Sequence, residues 1–165
     1  MTDDGRSNGV IQTAVEGAIA GFAATVPMSA AMVALYQLLP RREQYPLPPH
    51  EITEELAARA DQQERVDGEI EVMAATGVLH FGYGAAAGAA YALTADRAPL
   101  PPALKGALFG LAVWAGSYLG WLPAFDILPP ATEDPPRRNL LMIAAHLIYG
   151  PALALGVDVL RRRRG

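Results

Sequence analysis

Four long segments of the sequence contain no charged residue, and this feature restricts the fold more than any other. The segments cover residues 17–40, 72–95, 106–125 and 139–157. An α-helix rises about 1.5 Å per residue, so roughly 20 apolar residues cross the hydrocarbon core of a bilayer. Helices of soluble bundles carry charges along their outer face, and these segments carry none. The pattern therefore predicts an all-α membrane protein built as a four-transmembrane-helix bundle.

The composition agrees with this prediction once the charges are followed along the chain. The mean hydropathy is only +0.17 because the charged residues are concentrated between the four segments. Since the segments are rich in alanine and glycine, a buried soluble bundle remains the alternative. The net charge of −4 does not favour a nucleic-acid partner. The absence of cysteine excludes disulfides and thiolate metal sites.

Prolines and acidic residues indicate where the helices begin and end. We expect transmembrane helices over about residues 10–39, 71–93, 103–122 and 139–160. A short amphipathic helix is predicted in the first long loop, beginning near Glu51, with an apolar stripe of Ile52, Leu56 and Ala60. A short turn over residues 96–102 separates the second and third helices. The elements form a single membrane domain over residues 1–165, with the amphipathic helix along the bundle end or the membrane surface.

The two halves of the sequence share three motifs in the same order. The pattern charge-G-A-aliphatic-x-G-x-A, the tripeptide L-P-P and the pattern H-x-x-Y-G begin at Glu16, Leu47 and His80 in the first half and at Lys105, Leu128 and His146 in the second. This order predicts an internal repeat, with halves of about residues 10–95 and 103–160. We interpret the halves as two tandem helical hairpins related by an axis along the membrane normal.

Seven glycines lie at spacings typical of closely packed membrane helices. Small residues four positions apart on one face allow helix backbones to approach each other in lipid. The predicted packing residues are Gly17, Gly21, Gly84, Gly88, Gly106, Gly110 and Gly150. Because one four-helix bundle needs fewer small residues than this, we expect the protein to pack against a second copy or against other membrane subunits.

Two histidines, His80 and His146, lie inside charge-free segments. An ionisable side chain at such a depth is expected to face protein rather than lipid. In the simplest interpretation, each neutral imidazole bonds a carbonyl group, Tyr83 or Tyr149, or a buried water, and stabilises the bundle. In a second interpretation, the two histidines handle protons or ions in a polar cavity. We treat these four side chains as the candidate polar or ligand-binding group.

Haem or metal ligation by the two histidines is a third interpretation. Two facing histidines can hold a haem, and Gly84 and Gly150 would leave space beside them for the flat ring. The sequence contains no C-x-x-C-H motif, and the motifs of nucleophilic and zinc hydrolases and of phosphate-binding loops are also missing. We therefore predict no enzyme activity, no catalytic residue, no metal site and no cofactor.

The chain resembles a known family in several of these features. They are the span pattern, the Gly-rich helices, the L-P-P loop, His80 before a Gly-rich segment, and the ending Ala145-His146-Leu147 followed by Asp158 and arginines. On these features the chain is similar to the YagU-like family of uncharacterised bacterial inner-membrane proteins. The resemblance covers most of the chain. It implies an integral protein of the bacterial inner membrane without an assigned reaction, and it supplies no catalytic residue.

The distribution of basic residues predicts the orientation in the membrane. The arginines at residues 161–164 are typical of a cytoplasmic stop signal, and an even number of spans then places both termini in the cytoplasm. The leading functional hypothesis is a non-enzymatic packing, accessory or assembly subunit whose partners are the bilayer and other membrane subunits or a homo-oligomer. The alternatives are a small transporter or ion or proton pathway using His80 and His146, and a haem- or metal-binding membrane protein.

Overall fold

The computed structural model describes residues 3–61, 68–94 and 99–164, and every regular element in these ranges is helical. The α-helices are α1 (Asp3–Tyr36), α2 (Pro48–Arg59), α3 (Glu69–Thr94), α4 (Pro102–Ala115), α5 (Leu122–Ala124) and α6 (Pro136–Arg164). A π-helical segment, Gly116–Trp121, joins α4 to α5, and 3-10 turns cover Arg41–Glu43 and Ala131–Glu133. The all-α prediction is confirmed. The predicted turn over residues 96–102 lies partly outside the described residues.

Prolines begin three of the helices and explain why they start where they do. α2 begins at Pro48, α4 at Pro102 and α6 at Pro136. Proline fits the first turn of a helix because the amide hydrogen that it lacks has no partner there. The amphipathic helix predicted near Glu51 therefore starts one turn earlier, at the proline pair of the L-P-P motif.

Three of the long helices, rather than the four predicted, combine the length and the hydropathy of a membrane span. Within the described ranges the candidates are Ser7–Tyr36, Pro102–Ala124 and Pro136–Arg163. The helix α3 is long enough, with 26 residues. Its glycines, its tyrosines and His80 lower its mean hydropathy. Length and hydropathy together thus support three candidate spans, not four.

The long helices pack in pairs, α1 with α3 and α4 with α6, and α1 also packs with α6. At the contact between α1 and α6, a Cβ built on Gly156 would lie 3.1 Å from the Cβ of Ala20. The small residues at this contact allow the two central helices to lie close together. The buried core lies along α1 and α6 and contains Met28, Met32, Leu141, Met142, Tyr149 and Leu153.

The amphipathic helix α2 lies across one end of the long helices. It packs on α3, where the Thr76 hydroxyl donates a 3.1 Å hydrogen bond to the Thr53 hydroxyl. At its other end, the guanidinium of Arg59 donates 2.7 Å hydrogen bonds to the carbonyl oxygens of Phe125 and Asp126, just after α5. These contacts fix α2 above the site where α3 and α6 begin and α4 ends.

Candidate functional site

A cavity lies beneath α2 and is enclosed by α1, α2, α3, the α4–π region and α6. Its volume is about 170 Å³. An engineered protein cavity of about 150 Å³ holds a benzene molecule, so this one is large enough for a small ligand. The wall is mostly apolar, and its polar side chains include Thr25, His80, Tyr83, Ser117, His146 and Tyr149. All four residues predicted as the polar group therefore reach one cavity.

His146 is buried, and its hydrogen bond fixes its tautomer. Its Nδ1 lies 2.8 Å from the carbonyl oxygen of Met142, one turn earlier in α6. A carbonyl oxygen only accepts, so Nδ1 donates, and the Nε2 atom of the neutral ring is an acceptor. The ring also meets the Tyr118 ring edge to face, with centroids 6.0 Å apart. Each of these contacts holds the imidazole in one orientation at the cavity wall.

His80 lies on the opposite helix pair, and its imidazole is not satisfied in the same way. Its Nε2 atom is buried and has no hydrogen-bond partner within the part of the chain that the structure describes. The ring packs edge to face against Phe81, with centroids 6.0 Å apart. Buried polar atoms without partners are rare in native proteins, so this nitrogen marks a place where a further group could bind.

The two tyrosines bond between the helix pairs and do not bond the histidines. The Tyr149 hydroxyl donates a 2.6 Å hydrogen bond to the carbonyl oxygen of Gly84, which links α6 to α3. The Tyr83 hydroxyl lies 2.9 Å from the hydroxyl of Ser117, which links α3 to the π segment. The simplest interpretation left a carbonyl group, a tyrosine or a water open as the partner of each imidazole; His146 bonds a carbonyl oxygen, and neither tyrosine hydroxyl bonds an imidazole. Their hydroxyl groups instead connect the first half of the chain to the second.

The predicted packing glycines of the first pair form the contact between α1 and α3. A Cβ on Gly17 would overlap the carbonyl oxygen of Gly88, and a Cβ on Gly21 would overlap that of Gly84. The later glycine of α1 meets the earlier glycine of α3, so the two helices are antiparallel. Only glycine allows this separation, because any side chain would collide with backbone rather than with a flexible neighbour.

The second helix pair, α4 and α6, is packed through the corresponding glycines but in a different register. A Cβ on Gly106 would overlap the carbonyl oxygen of Gly150, and a Cβ on Gly110 would overlap that of His146. By the shared motifs, Gly106 and Gly150 correspond to Gly17 and Gly84. Gly17 instead meets Gly88, one helical turn beyond Gly84. The two helix pairs thus share a packing motif but differ by one turn in register.

The geometry does not fit the haem interpretation. That interpretation needs open space beside Gly84 and Gly150, but Thr25 of α1 occupies the space beside Gly84 and Gly106 of α4 occupies the space beside Gly150. A cavity that matches a benzene molecule also cannot enclose a macrocycle of four pyrrole rings. Among the side chains that the structure describes, no group of three His, Asp or Glu residues is placed to hold a metal ion.

Two features of the site could not be assigned from the sequence. The π-helical segment Gly116–Trp121 places Ser117 and Trp121 at the cavity, and π-helical turns frequently occur at functional sites. The helix α2 contributes Ile52 and Leu56 to the cavity wall. The apolar stripe of α2 was the available signal, although a stripe of that kind does not identify the surface that it covers.

A third feature, the burial of Arg138, was also missed. The sequence shows Arg138 only as one of two arginines at the start of a helix, but its side chain is 3% exposed. Its guanidinium donates to the carbonyl oxygens of Glu43, Tyr45 and Pro46 at 3.1, 3.0 and 2.8 Å. It also lies 3.5 Å from the centre of the Tyr45 ring. Arg138 therefore attaches the loop before α2 to the start of α6.

Comparison with known families connects this fold to one of them. A family model described as a protein of unknown function, DUF1440, matches residues 14–155. The chain belongs to the DUF1440 family. The match to DUF1440 runs from the first glycine contact in α1 to the last turns of α6, so it includes every helix around the cavity. This match assigns the chain to a family of unknown function and assigns no reaction to it. No match was found among curated proteins or among solved structures.

Proposed function

We propose that this chain is a non-enzymatic integral membrane protein that acts by packing with a second copy of itself or with another membrane subunit. The observation that carries the proposal is the outward exposure of large aliphatic and aromatic side chains on the long helices. In α1 alone, Ile19, Phe22 and Val26 are each more than half exposed, at 56%, 53% and 55%. Continuous apolar faces of this kind need lipid or protein against them, since exposure to water is unfavourable.

We further propose that α3 crosses the bilayer with the three more apolar helices, which gives a four-helix bundle of two tandem hairpins. With 26 residues, α3 is about 39 Å long and can span the hydrocarbon core. Its glycine contacts with α1 at Gly84 and Gly88 are too close for lipid to separate the two helices. If α1 crosses the bilayer, α3 is therefore expected to cross it beside α1.

The bacterial inner membrane is the location that we propose, with both termini in the cytoplasm. The support is the cluster of arginines at the end of α6, which favours the cytoplasmic side. The opposite end carries α2, whose apolar residues Ile52 and Leu56 point to the cavity. In this arrangement the cavity lies nearer the outer side of the membrane.

The surface available for assembly differs from the one expected from the sequence. All seven predicted packing glycines lie in contacts within one chain, between α1 and α3 and between α4 and α6. Two other glycines of α3, Gly77 and Gly82, have no atom within 4 Å of an added Cβ. With Phe22, Val78 and Phe81 they line a shallow groove on the outer surface. A helix from another subunit can approach closely there.

Filling this groove is expected to prevent self-association. Gly77→Leu and Gly82→Leu each place a large side chain where a partner helix would lie, while Gly9→Leu adds the same side chain at an α1 glycine outside the groove. We expect the wild type and Gly9→Leu to form the same oligomer in lipid nanodiscs, and the groove variants to be monomeric. Light scattering coupled to size-exclusion chromatography measures the mass. A wild-type protein that is strictly monomeric in nanodiscs, without any co-purified subunit, would contradict the assembly proposal.

An ion or proton pathway is the second candidate function, because His80 and His146 reach the same cavity. We expect proteoliposomes of the wild type to show no more proton flux than empty liposomes, as measured with an internal pH-sensitive dye. The leading proposal fails if the wild type conducts protons and the conduction is lost in H80Q/H146Q. The matched control is H50Q, because His50 lies in α2 and pairs with Glu54 at 3.3 Å outside the cavity.

A further inference from the structure

The cavity beneath α2 contains hydrogen-bonding atoms that the protein itself does not use. The Nε2 atom of His80 is buried without a partner in the described part of the chain. The Nε2 atom of His146 is an acceptor, because Nδ1 already donates to Met142. The hydroxyl groups of Tyr83 and Ser117 share a single hydrogen bond, so one of their two protons is still available. The site can therefore accept and donate at the same time.

The wall of the cavity favours a neutral ligand. No Asp, Glu, Lys or Arg of the described ranges lines it, and aliphatic and aromatic side chains form most of its surface. A charged molecule would lose its hydration there without gaining a counter-charge, which is strongly unfavourable. A molecule with an apolar body and one hydrogen-bonding group matches the wall, as is usual for small-molecule sites.

Between α3 and the π segment, partly exposed side chains form the wall of the cavity. Leu79 and Tyr83 line it and are 43% and 44% exposed, so this part of the wall faces the outside. The gap there is crossed by the hydrogen bond from Tyr83 to Ser117 and by the contact of the Tyr83 ring with Trp121, at 6.1 Å between centroids. The helix α2 covers the end of the cavity. In a membrane, a ligand would therefore enter from the lipid.

We infer that this cavity binds a small neutral alcohol or phenol, which enters between α3 and the π segment and donates its hydroxyl proton to an imidazole Nε2 of His80 or His146. A hydroxyl group is favoured over a carbonyl group because it donates to the imidazole and can also accept from Tyr83 or Ser117. The apolar body of the ligand lies against Val113, Leu122 and Ile52. The volume limits this body to about one aromatic ring or the end of a longer chain.

Fluorine NMR of the full-length protein in dodecylmaltoside micelles tests the inference with three probes of similar size. The probes are 4-fluorophenol, fluorobenzene and 4-fluorobenzoate, and protein-free micelles give the reference for simple partitioning. We expect saturable binding of 4-fluorophenol, binding of fluorobenzene that is about tenfold weaker because it lacks one hydrogen bond, and none of 4-fluorobenzoate. If 4-fluorophenol behaves in the presence of protein as it does in empty micelles, the inference is wrong.

Variants separate the cavity from other apolar surfaces. Val113→Phe fills the cavity and should abolish binding of 4-fluorophenol, while Val33→Phe makes the same change at an exposed position of α1 and should not. Ala87→Leu is a second cavity-filling variant, and circular dichroism identifies the variants that are folded. Equal binding by folded Val113→Phe or Ala87→Leu and by Val33→Phe would overturn the inference.

The histidine variant tests the hydrogen bond itself. The double variant H80L/H146L is expected to lower the affinity for 4-fluorophenol about tenfold and to leave that for fluorobenzene within about twofold, whereas His50→Leu changes neither. An unchanged preference for the phenol in the variant H80L/H146L would show that no imidazole recognises the hydroxyl. Competition experiments identify the source of the natural ligand. If dodecanol displaces 4-fluorophenol, the ligand is a hydroxylated chain supplied by the bilayer. If phenol displaces it and dodecanol does not, the ligand is a small molecule.

Discussion

Replacement of Gly150 by leucine is expected to separate α6 from α4 and to lower the free energy of unfolding by about 3 kcal/mol. A Cβ at this position would overlap the carbonyl oxygen of Gly106, and the amide nitrogen of Gly110 lies only 3.1 Å away. These atoms belong to the backbone, so no side chain can rotate to make space. The helices must move apart, and the neighbouring contacts along both helices are lost with them.

The measurement is equilibrium unfolding by sodium dodecyl sulfate in mixed micelles, followed by far-ultraviolet circular dichroism. Gly9→Leu is the matched control, because Gly9 lies in α1 with no atom within 4 Å of an added Cβ. That variant should be neutral or slightly stabilising, since leucine has a higher helix propensity than glycine by about 1 kcal/mol or less. Equal stability of the two variants would show that α4 and α6 are not in close contact.

The positions of the long helices were predictable, because charge-free length and glycine spacing are local properties of the sequence. The predicted second helix, residues 71–93, corresponds to α3, and the last, residues 139–160, lies within α6. The partner of each glycine was not predictable. Gly17 meets Gly88 rather than Gly84, because a sliding of two smooth, glycine-rich helices by one turn changes no local pattern.

The candidate site was also predicted only in part. The sequence indicated that His80 and His146 should face protein, and both reach the cavity. It did not indicate that Tyr149 bonds the carbonyl oxygen of Gly84, or that Tyr83 bonds Ser117. Those partners depend on the rotation of each helix about its axis, which is set by packing between distant segments.

Arg138 shows most clearly what the sequence alone conceals. An arginine pair after two prolines is typical of an exposed helix start, and Arg137 is indeed exposed. Arg138, one position later, points inward and bonds three carbonyl oxygens that lie 92 to 95 residues earlier in the chain. Adjacent positions of a helix are about 100° apart around its axis, so neighbouring arginines can have opposite environments.

Arg138→Ala is expected to lower the free energy of unfolding by about 3–5 kcal/mol, whereas Arg137→Ala should change it by less than about 0.5 kcal/mol. The substitution removes the donor from the carbonyl oxygens of Glu43, Tyr45 and Pro46, and the bond to Glu43 that is lost is a buried one. Arg138→Lys should recover only part of the loss, because an ammonium group cannot reproduce the planar arrangement of donors. The same unfolding titration measures all three variants. A similar effect of both alanine substitutions would contradict the structural role of Arg138.

The loss in Arg138→Ala should also depend on pH, because Arg138 lies 4.0 Å from a carboxylate oxygen of Glu51. Burial raises the pKa of Glu51 above its ordinary value of 4.5, and the Arg138 guanidinium opposes this effect. Without the guanidinium the pKa of Glu51 in the folded protein rises further above that in the unfolded chain. Folding is then favoured while the carboxyl is protonated, and this stability is lost as the pH rises through the folded-state pKa.

The stability deficit of Arg138→Ala relative to the wild type should therefore be larger at about pH 8 than at about pH 4, where Glu51 is protonated in both proteins. Glu51→Gln provides the control, because the amide cannot titrate and the deficit measured in that background should no longer change with pH. The deficit of Arg137→Ala should be small at either pH, since Arg137 is exposed. If the deficit of Arg138→Ala is the same at both pH values, the hydrogen bonds to the loop carbonyls, rather than the charge of Glu51, account for the whole effect of Arg138.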